Sequence, residues 1–502
     1  MSAAIRLTGA SLTCEDVCAV AQRGAAVELD AAVPPRVAGA RVLVERALET
    51  GEAIYGLTTG LGANVGLRLD AADIAAFQER ILIGRAVALG PPLPVEVVRA
   101  ALLIRANGLA RAGAGASPAA LEGLLALLNR RIHPVVPQLG SIGAADLTPM
   151  AHLALPLIGR GEVEMAGTIM PAAAALERAG LAPLQLAPKD GLALINSNAL
   201  SIGHAVLLLA DAEALIALAA LAAALSFEGF RANPGPLRAE VAAARPAPGQ
   251  EQAAALLRRF LTGSTLWQAG AARAVQDPLS FRSLVSVQGA ALAALDFARA
   301  ATTAELNAAS DNPLVLAESG AILSTGNFDT QALALGFDTL ALALLPLADL
   351  SVGRAMKLML PEASGLPKFL TPVGGNRAGF APMQKTLAAL RAECRQRANP
   401  VSLDFTPVAN GVEDHSPQTP LALRKAGELI AHFRGILAIE LMVAAQAIDL
   451  RAPPLGAPAA AAHAAIRKLV PLLEDDRALG PEVERLAAEA PAILEAAQAA
   501  LS

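Results

Sequence analysis

The chain has 502 residues, 54% of them hydrophobic and 17% charged, and its 45 acidic and 40 basic residues leave a net charge of −5. With a mean hydropathy of +0.47, that composition excludes an intrinsically disordered chain and offers no basic footprint for nucleic acid. The length allows two or three domains or one continuous helical core, and the abundance of Ala and Leu predicts an all-α protein whose helices bury one another.

The first thirty residues carry no basic segment followed by an apolar stretch and a cleavage site, so the expected location is the cytoplasm. Three cysteines, Cys14, Cys18 and Cys394, make no disulfide framework, and Cys14 with Cys18 lacks the further ligands of a metal site. Thr13 followed by Asp16 predicts a capping box at the start of the first helix. A Gly-rich loop, Tyr55 to Gly62, holds the sole tyrosine, and its glycine spacing fits neither a dinucleotide nor a Walker pattern. Apolar-periodic helices follow from about Ala72, with Pro91-Pro92, Pro134 and Pro137 marking loops. Ala/Leu-rich segments at 199–226, 285–306, 329–360, 377–398 and 420–449 predict the long helices of a bundle. Asp211 and Glu213 interrupt the apolar run 205–225, and Asp338 interrupts 332–347; both lack the roughly 20 uninterrupted apolar residues of a membrane span and are expected as buried helices. The predicted organisation is an N-terminal domain, 1–198, a central long-helix bundle, 199–450, and a C-terminal helical layer, 451–502.

Several motifs stand in order along the chain. They are Tyr55-Gly56-Leu57-Thr58-Thr59-Gly60, Gly140 to His152 around Gly143-Ala144-Ala145-Asp146, and Gly191 to Asn196. Gln276-Asp277-Pro278-Leu279-Ser280-Phe281-Arg282, Asp311-Asn312-Pro313, Gly326-Asn327-Phe328, Ser364 to Pro367 and Glu413-Asp414-His415 follow. The ordered set resembles the aromatic amino acid lyases, the family of histidine, phenylalanine and tyrosine ammonia-lyases. The resemblance implies the helical fold of that family, close to the fumarase–aspartase type, and a homotetramer whose active sites combine three subunits. It also implies an amino-acid-derived small-molecule substrate. Tyr55 becomes the candidate base on the catalytic loop, Asn196 and Glu413 further catalytic residues, and Gln276 and Arg282 the holders of the substrate carboxylate.

The departures fall where the chemistry happens. Where the family has Ala-Ser-Gly, which cyclises into the electrophile methylidene-imidazolone, this chain has only Ala144-Ala145. Alanine has no hydroxyl to lose as water, so the expectation is a protein with no cofactor. Leu279 replaces a second active-site tyrosine, Arg85 stands where a ring-binding histidine is expected, and Lys385 adds a charge. Ammonia is a poor leaving group that the electrophile activates, whereas a quaternary ammonium already departs as a neutral amine. Such a substrate needs a base, a carboxylate anchor and a sink for negative charge. Tyr55 supplies the base if cationic neighbours or backbone donors favour its phenolate, and Arg282 grips the carboxylate as a fork. Arg85 or Lys385 is expected at the substrate ring, Glu413 at the ring or the cation, and Phe328, Phe405 or Phe281 against the leaving amine.

The chain is similar to what the ergothionase type of member requires, release of trimethylamine from ergothioneine to give thiourocanate. An ordinary histidine or aromatic ammonia-lyase and an inactive scaffold are the alternatives. The plainer readings are a packing tyrosine, ion-paired Arg85, Arg282 and Lys385 on helix surfaces, and scattered histidines with no metal among them.

Overall fold

Thr13 and Asp16 close the expected capping box. The Asp16 amide donates to Thr13 Oγ1 at 3.1 Å and the Thr13 amide to Asp16 Oδ2 at 3.0 Å, so two amides that the first turn of helix Cys14–Arg23 leaves unpaired are satisfied reciprocally. The computed structural model describes residues 4–403 and 405–501. The all-α expectation holds, with about 60% of the chain helical and few strands.

The chain divides into two units, one of Met1–Leu208, Arg299–Leu335 and Val401–Leu423, the other of Leu209–Ala298, Gly336–Pro400 and Arg424–Ser502. Four of the five divisions fall inside long helices, Ala199–Phe230, Leu284–Leu306, Gln331–Leu358 and Thr419–Arg451, and the fifth, between Pro400 and Val401, follows helix Met383–Arg397. The four long helices match the predicted segments closely. The remaining predicted helix begins late, as Met383–Arg397, because Pro382 cannot continue a helix backwards and takes its N-cap.

Within the first unit, helix Val95–Ala110 is buried on nearly every side, which its run of Val, Ala and Leu anticipates. The prolines expected in loops sit instead in short ladders: Leu89–Pro92 pairs with Pro137–Leu139, and His133–Pro134 with Glu162–Met165. Two- and three-stranded ladders consist largely of edges, where a missing N–H leaves no ladder partner unsatisfied.

The second unit packs Phe281 against Phe227, edge-on at 5.3 Å between centroids, and against Phe230, stacked at 4.5 Å. It also encloses an ion pair. Arg354 Nε and Nη2 donate to the two oxygens of Glu440 at 2.6 and 3.0 Å, and both side chains are fully buried. Ser226 Oγ donates to the same carboxylate at 2.7 Å and Ser351 Oγ donates to its other oxygen, so the buried charge is paired and hydrogen-bonded.

Among the described residues, three helical stretches suffice to cross a membrane by length and composition alone: Asp190–Phe230, which joins two successive helices, Leu284–Leu306 and Gln331–Leu358. In the first, 72% of the most apolar window is buried within the protein, so most of its apolar surface is already covered by packing.

Candidate active site

The Gly-rich loop that carries Tyr55 is built around one carbonyl. Ile54 O accepts from the amides of Leu57, Thr58 and Thr59 at 3.0–3.2 Å, while Thr58 Oγ1 accepts from the Ile54 amide at 2.8 Å and donates to Glu52 O. Gly56 takes φ +66°, and a Cβ there would run into the Leu192 side chain, so the turn after Tyr55 needs glycine. The turn aims the Tyr55 ring so that its phenolic oxygen accepts from the Gly62 amide at 2.9 Å.

Helix Ala71–Arg85 brings in Arg85 at its last residue. Burial pushes the Arg85 guanidinium below its ordinary pKa, and the charges of Tyr55 and Glu413 act against that shift. Arg85 itself is half-buried. The same helix supports Asn196: the Gly191 amide donates to Gln78 Oε1 at 3.0 Å, and a Cβ on Gly191 would collide with the Gln78 carbonyl. Helix Asp190–Ile195 thus lies backbone to backbone on its neighbour and ends at Asn196, whose Nδ2 donates to Asn312 O at 2.7 Å.

A cavity of about 780 Å³ in the first unit is lined by Tyr55, Arg85, Ala144, Asn196, Phe328 and Glu413, together with Glu52 and Asn312. Six positions singled out in the sequence therefore meet on one wall system. Glu52 and Asn312 were not proposed from sequence; Glu52 lies three residues before the tyrosine and belongs to no motif, whereas Asn312 stood inside a motif with no chemistry attached.

Around the shortened signature, Ser141 Oγ donates to Asp146 Oδ1 at 2.8 Å and accepts from the Gly143 amide at 3.0 Å. Burial raises the Asp146 pKa against hydrogen bonds from Ser201 and Ser141. Ala145 is buried and takes φ +55°, a left-handed conformation that costs an L residue about 1–2 kcal/mol. Its amide reaches Phe328 O at 3.4 Å, and Ala144 bridges to Asp329. Asp329 in turn pairs with His415 Nε2 at 3.2 Å. Glu305 lies close to Asp329, and burial together with that charge pushes its carboxyl up to about 7.

Of the remaining predicted residues, Gln276, Phe281, Arg282 and Lys385 lie in the second unit and Phe405 in the first. Gln276 and Arg282 are neighbours, Gln276 Oε1 accepting from Arg282 Nη2 at 3.2 Å with its amide turned so that the oxygen faces the guanidinium. Arg282 Nε also donates to Asp277 O at 3.1 Å. Both side chains are exposed, as is Lys385 on helix Met383–Arg397. None of the three lines the cavity of the first unit. The expectation that Phe281 contacts a substrate is corrected, since it is 1% exposed and committed to the core. Phe405 stacks edge-on against His415 at 5.8 Å and does not line the cavity.

Residues 12–468 match the sequence profile described as aromatic amino acid lyase. The chain is 45% identical over 490 residues to a histidine ammonia-lyase of Anaeromyxobacter dehalogenans, covering 95% of this chain and 96% of that one. The chain belongs to the aromatic amino acid lyases. This aromatic amino acid lyase is therefore a carbon–nitrogen lyase. Its structure is similar to that of ergothionase from Treponema denticola in complex with desmethyl-ergothioneine sulfonic acid, with TM-score 0.93, 35% identity and 99% of each chain covered. It is also similar to histidine ammonia-lyase from Trypanosoma cruzi, with TM-score 0.92, 28% identity, and 99% of this chain and 96% of that one covered.

Membership corrects one expectation. That the protein has no cofactor does not stand against a relative 45% identical, named histidine ammonia-lyase, in a family that usually carries methylidene-imidazolone. The local residues are a separate fact. Neither Ala144 nor Ala145 bears the hydroxyl from which that group is made, and the nearby Ser141 hydroxyl is engaged by Asp146. These side chains do not fit its precursor, so no step below is routed through it.

Proposed function

We propose that this lyase eliminates an amine across the Cα–Cβ bond of an amino-acid-derived substrate, and that the substrate is ergothioneine, which yields trimethylamine and thiourocanate. The observation that carries the reading is the grouping of Tyr55, Arg85 and Glu413 around one cavity whose wall at Ala144 presents only a methyl group. The structural likeness to the Treponema denticola ergothionase supports it.

In this reading the Tyr55 phenolate takes the proton from Cβ, the C–H electron pair becomes the Cα=Cβ bond, and the C–N pair leaves with the amine. The Gly62 amide donates to the phenolic oxygen, where negative charge must sit before the proton moves, and the Arg85 charge interacts favourably with Tyr55. A quaternary ammonium departs as a neutral molecule, so its own positive charge supplies the driving force. Glu413 faces the substrate ring or its cationic head, Asn196 orients the substrate at the cavity wall, and Phe328 offers its ring to the head. Gln276 and Arg282 hold the carboxylate and Lys385 the thione sulfur, each supplied by another copy of the chain in a homotetramer that completes the site. We place the enzyme in the cytoplasm.

A second reading is favoured by the histidine ammonia-lyase relatives, namely release of ammonia from histidine. Purified protein incubated separately with ergothioneine, histidine, phenylalanine and tyrosine distinguishes the two by the ultraviolet absorbance of the conjugated acid and by the amine released. Turnover of ergothioneine with trimethylamine is expected. Ammonia from histidine with no turnover of ergothioneine would replace the first reading with the second. For the carboxylate anchor, Arg282→Met is expected to raise KM roughly 10- to 100-fold, because hydrogen bonds to a charged group contribute about 1.5–3 kcal/mol. A KM equal to that of the unmodified enzyme would remove Arg282 from that role.

A further inference from the structure

We propose that Lys189 is a positioning residue: from the start of helix Asp190–Ile195, its ammonium holds the Pro313 carbonyl and thereby sets where the adjacent Asn312 carbonyl grips the Asn196 carboxamide. The proposal rests on the reading of Asn196 as part of the reaction site.

Lys189 is 1% exposed and stands at φ +76°, a left-handed conformation rarely taken by a residue with a long side chain. Its Nζ donates to Ala114 O and, at 3.2 Å, to Pro313 O. At the other end of the same short helix, Asn196 Nδ2 donates to Asn312 O. The two ends of one helix therefore grip two consecutive carbonyls, and both Asn312 and Pro313 line the cavity. The segment is held from its other sides too: Thr325 Oγ1 donates to Asp311 O at 3.0 Å, and the Thr325 amide to Asn312 Oδ1 at 3.0 Å. Arg105 pairs with Asp311 at 2.7 Å and donates to Ala193 O, which ties the middle of the helix to the same strip. Lys189 is the member of this frame that touches the cavity-lining backbone with a charge, and charge-assisted hydrogen bonds are about twice as strong as neutral ones.

The surroundings make that charge labile. Burial depresses the Lys189 pKa to about 8, with Asp311 and Asp190 favouring the proton and Arg105 and Arg41 opposing it. Arg41 reaches the Pro188 and Gly115 carbonyls from helix Val33–Thr50, Arg105 lies on helix Val95–Ala110, and Asp190 is held by Ser117. Because the folded pKa lies below the unfolded value of 10.5, loss of this proton does not weaken the fold, and stability rises with pH between the two values. Activity and stability should therefore diverge as pH rises through about 8.

The experiment compares the unmodified enzyme with Lys189→Met, a side chain of similar length with no donor. In the unmodified enzyme kcat is expected to fall at least threefold between pH of about 7 and about 9.5, while the melting temperature does not fall. In the variant kcat is expected to be reduced roughly tenfold, which is about 1.4 kcal/mol, with KM within threefold and the alkaline limb gone. Its crystal structure should show Asn196 Nδ2 out of hydrogen-bond reach of Asn312 O. A variant with kcat within twofold of the original, an unchanged alkaline limb, or an intact Asn196–Asn312 bond would overturn the proposal. Should the variant not fold, a flat kcat profile of the unmodified enzyme over the same pH range overturns it alone. If no substrate is turned over, the functional reading fails, and the Asn196–Asn312 distance still decides the role of Lys189.

Discussion

Tyr55→Phe is expected to lower kcat roughly 10²- to 10⁴-fold, the range that a positioned acid or base contributes, while substrate affinity changes by less than about threefold. The phenyl ring stays in place because the loop is fixed from Ile54, Thr58 and Thr59, and the tyrosine hydroxyl takes no part in that fixation. Among the described residues the hydrogen bond lost is the one accepted from the Gly62 amide, a loss of about 1 kcal/mol. Single-turnover rates and equilibrium binding of a non-reacting analogue separate the two effects. Turnover within tenfold of the original would show that another group takes the Cβ proton. A large loss of affinity with unchanged kcat would make Tyr55 an anchor.

The second large effect concerns stability. Arg354→Leu leaves Glu440 buried without its counter-charge, retaining only the donors of Ser226 and Ser351, and breaking a buried pair in this way costs about 3–5 kcal/mol. Urea unfolding measures it. The double variant Arg354→Leu, Glu440→Leu is expected to lose less than the single one, because no lone charge remains in the core. Arg354 Nη1 also donates to Ser280 O at 3.2 Å, two residues before Arg282. Residual folded Arg354→Leu protein should accordingly show a raised KM as well as a lowered midpoint. A single-variant loss below about 1 kcal/mol would mean that water or another cation reaches Glu440, contrary to its full burial.

The sequence on its own determined what local chemistry can determine. The Thr13–Asp16 cap, the long helices and the glycine-governed turn at Tyr55 follow from short-range hydrogen bonding, apolar period and backbone freedom, none of which requires a distant partner. The ordered motifs carried the family, and three positions within them, Tyr55, Asn196 and Glu413, line one cavity. The short ladders at Pro91–Pro92 and Pro137 were out of reach, because an edge strand is recognised by its partner, which in one case lies more than forty residues away. Phe281 illustrates the same limit: an aromatic inside a binding motif reads as a contact until Phe227 and Phe230 are seen to enclose it.

Only the tertiary structure gathered Glu52 and Asn312 beside Tyr55 and placed Gln276, Arg282 and Lys385 in a different unit from that cavity. Only it, too, turned Lys189 from one more basic residue into a buried ammonium on the Pro313 carbonyl. The physical reason is common to all of these. Burial, pairing and the pKa of a side chain are set by groups tens to hundreds of residues away, and no local pattern encodes which of them will close around it.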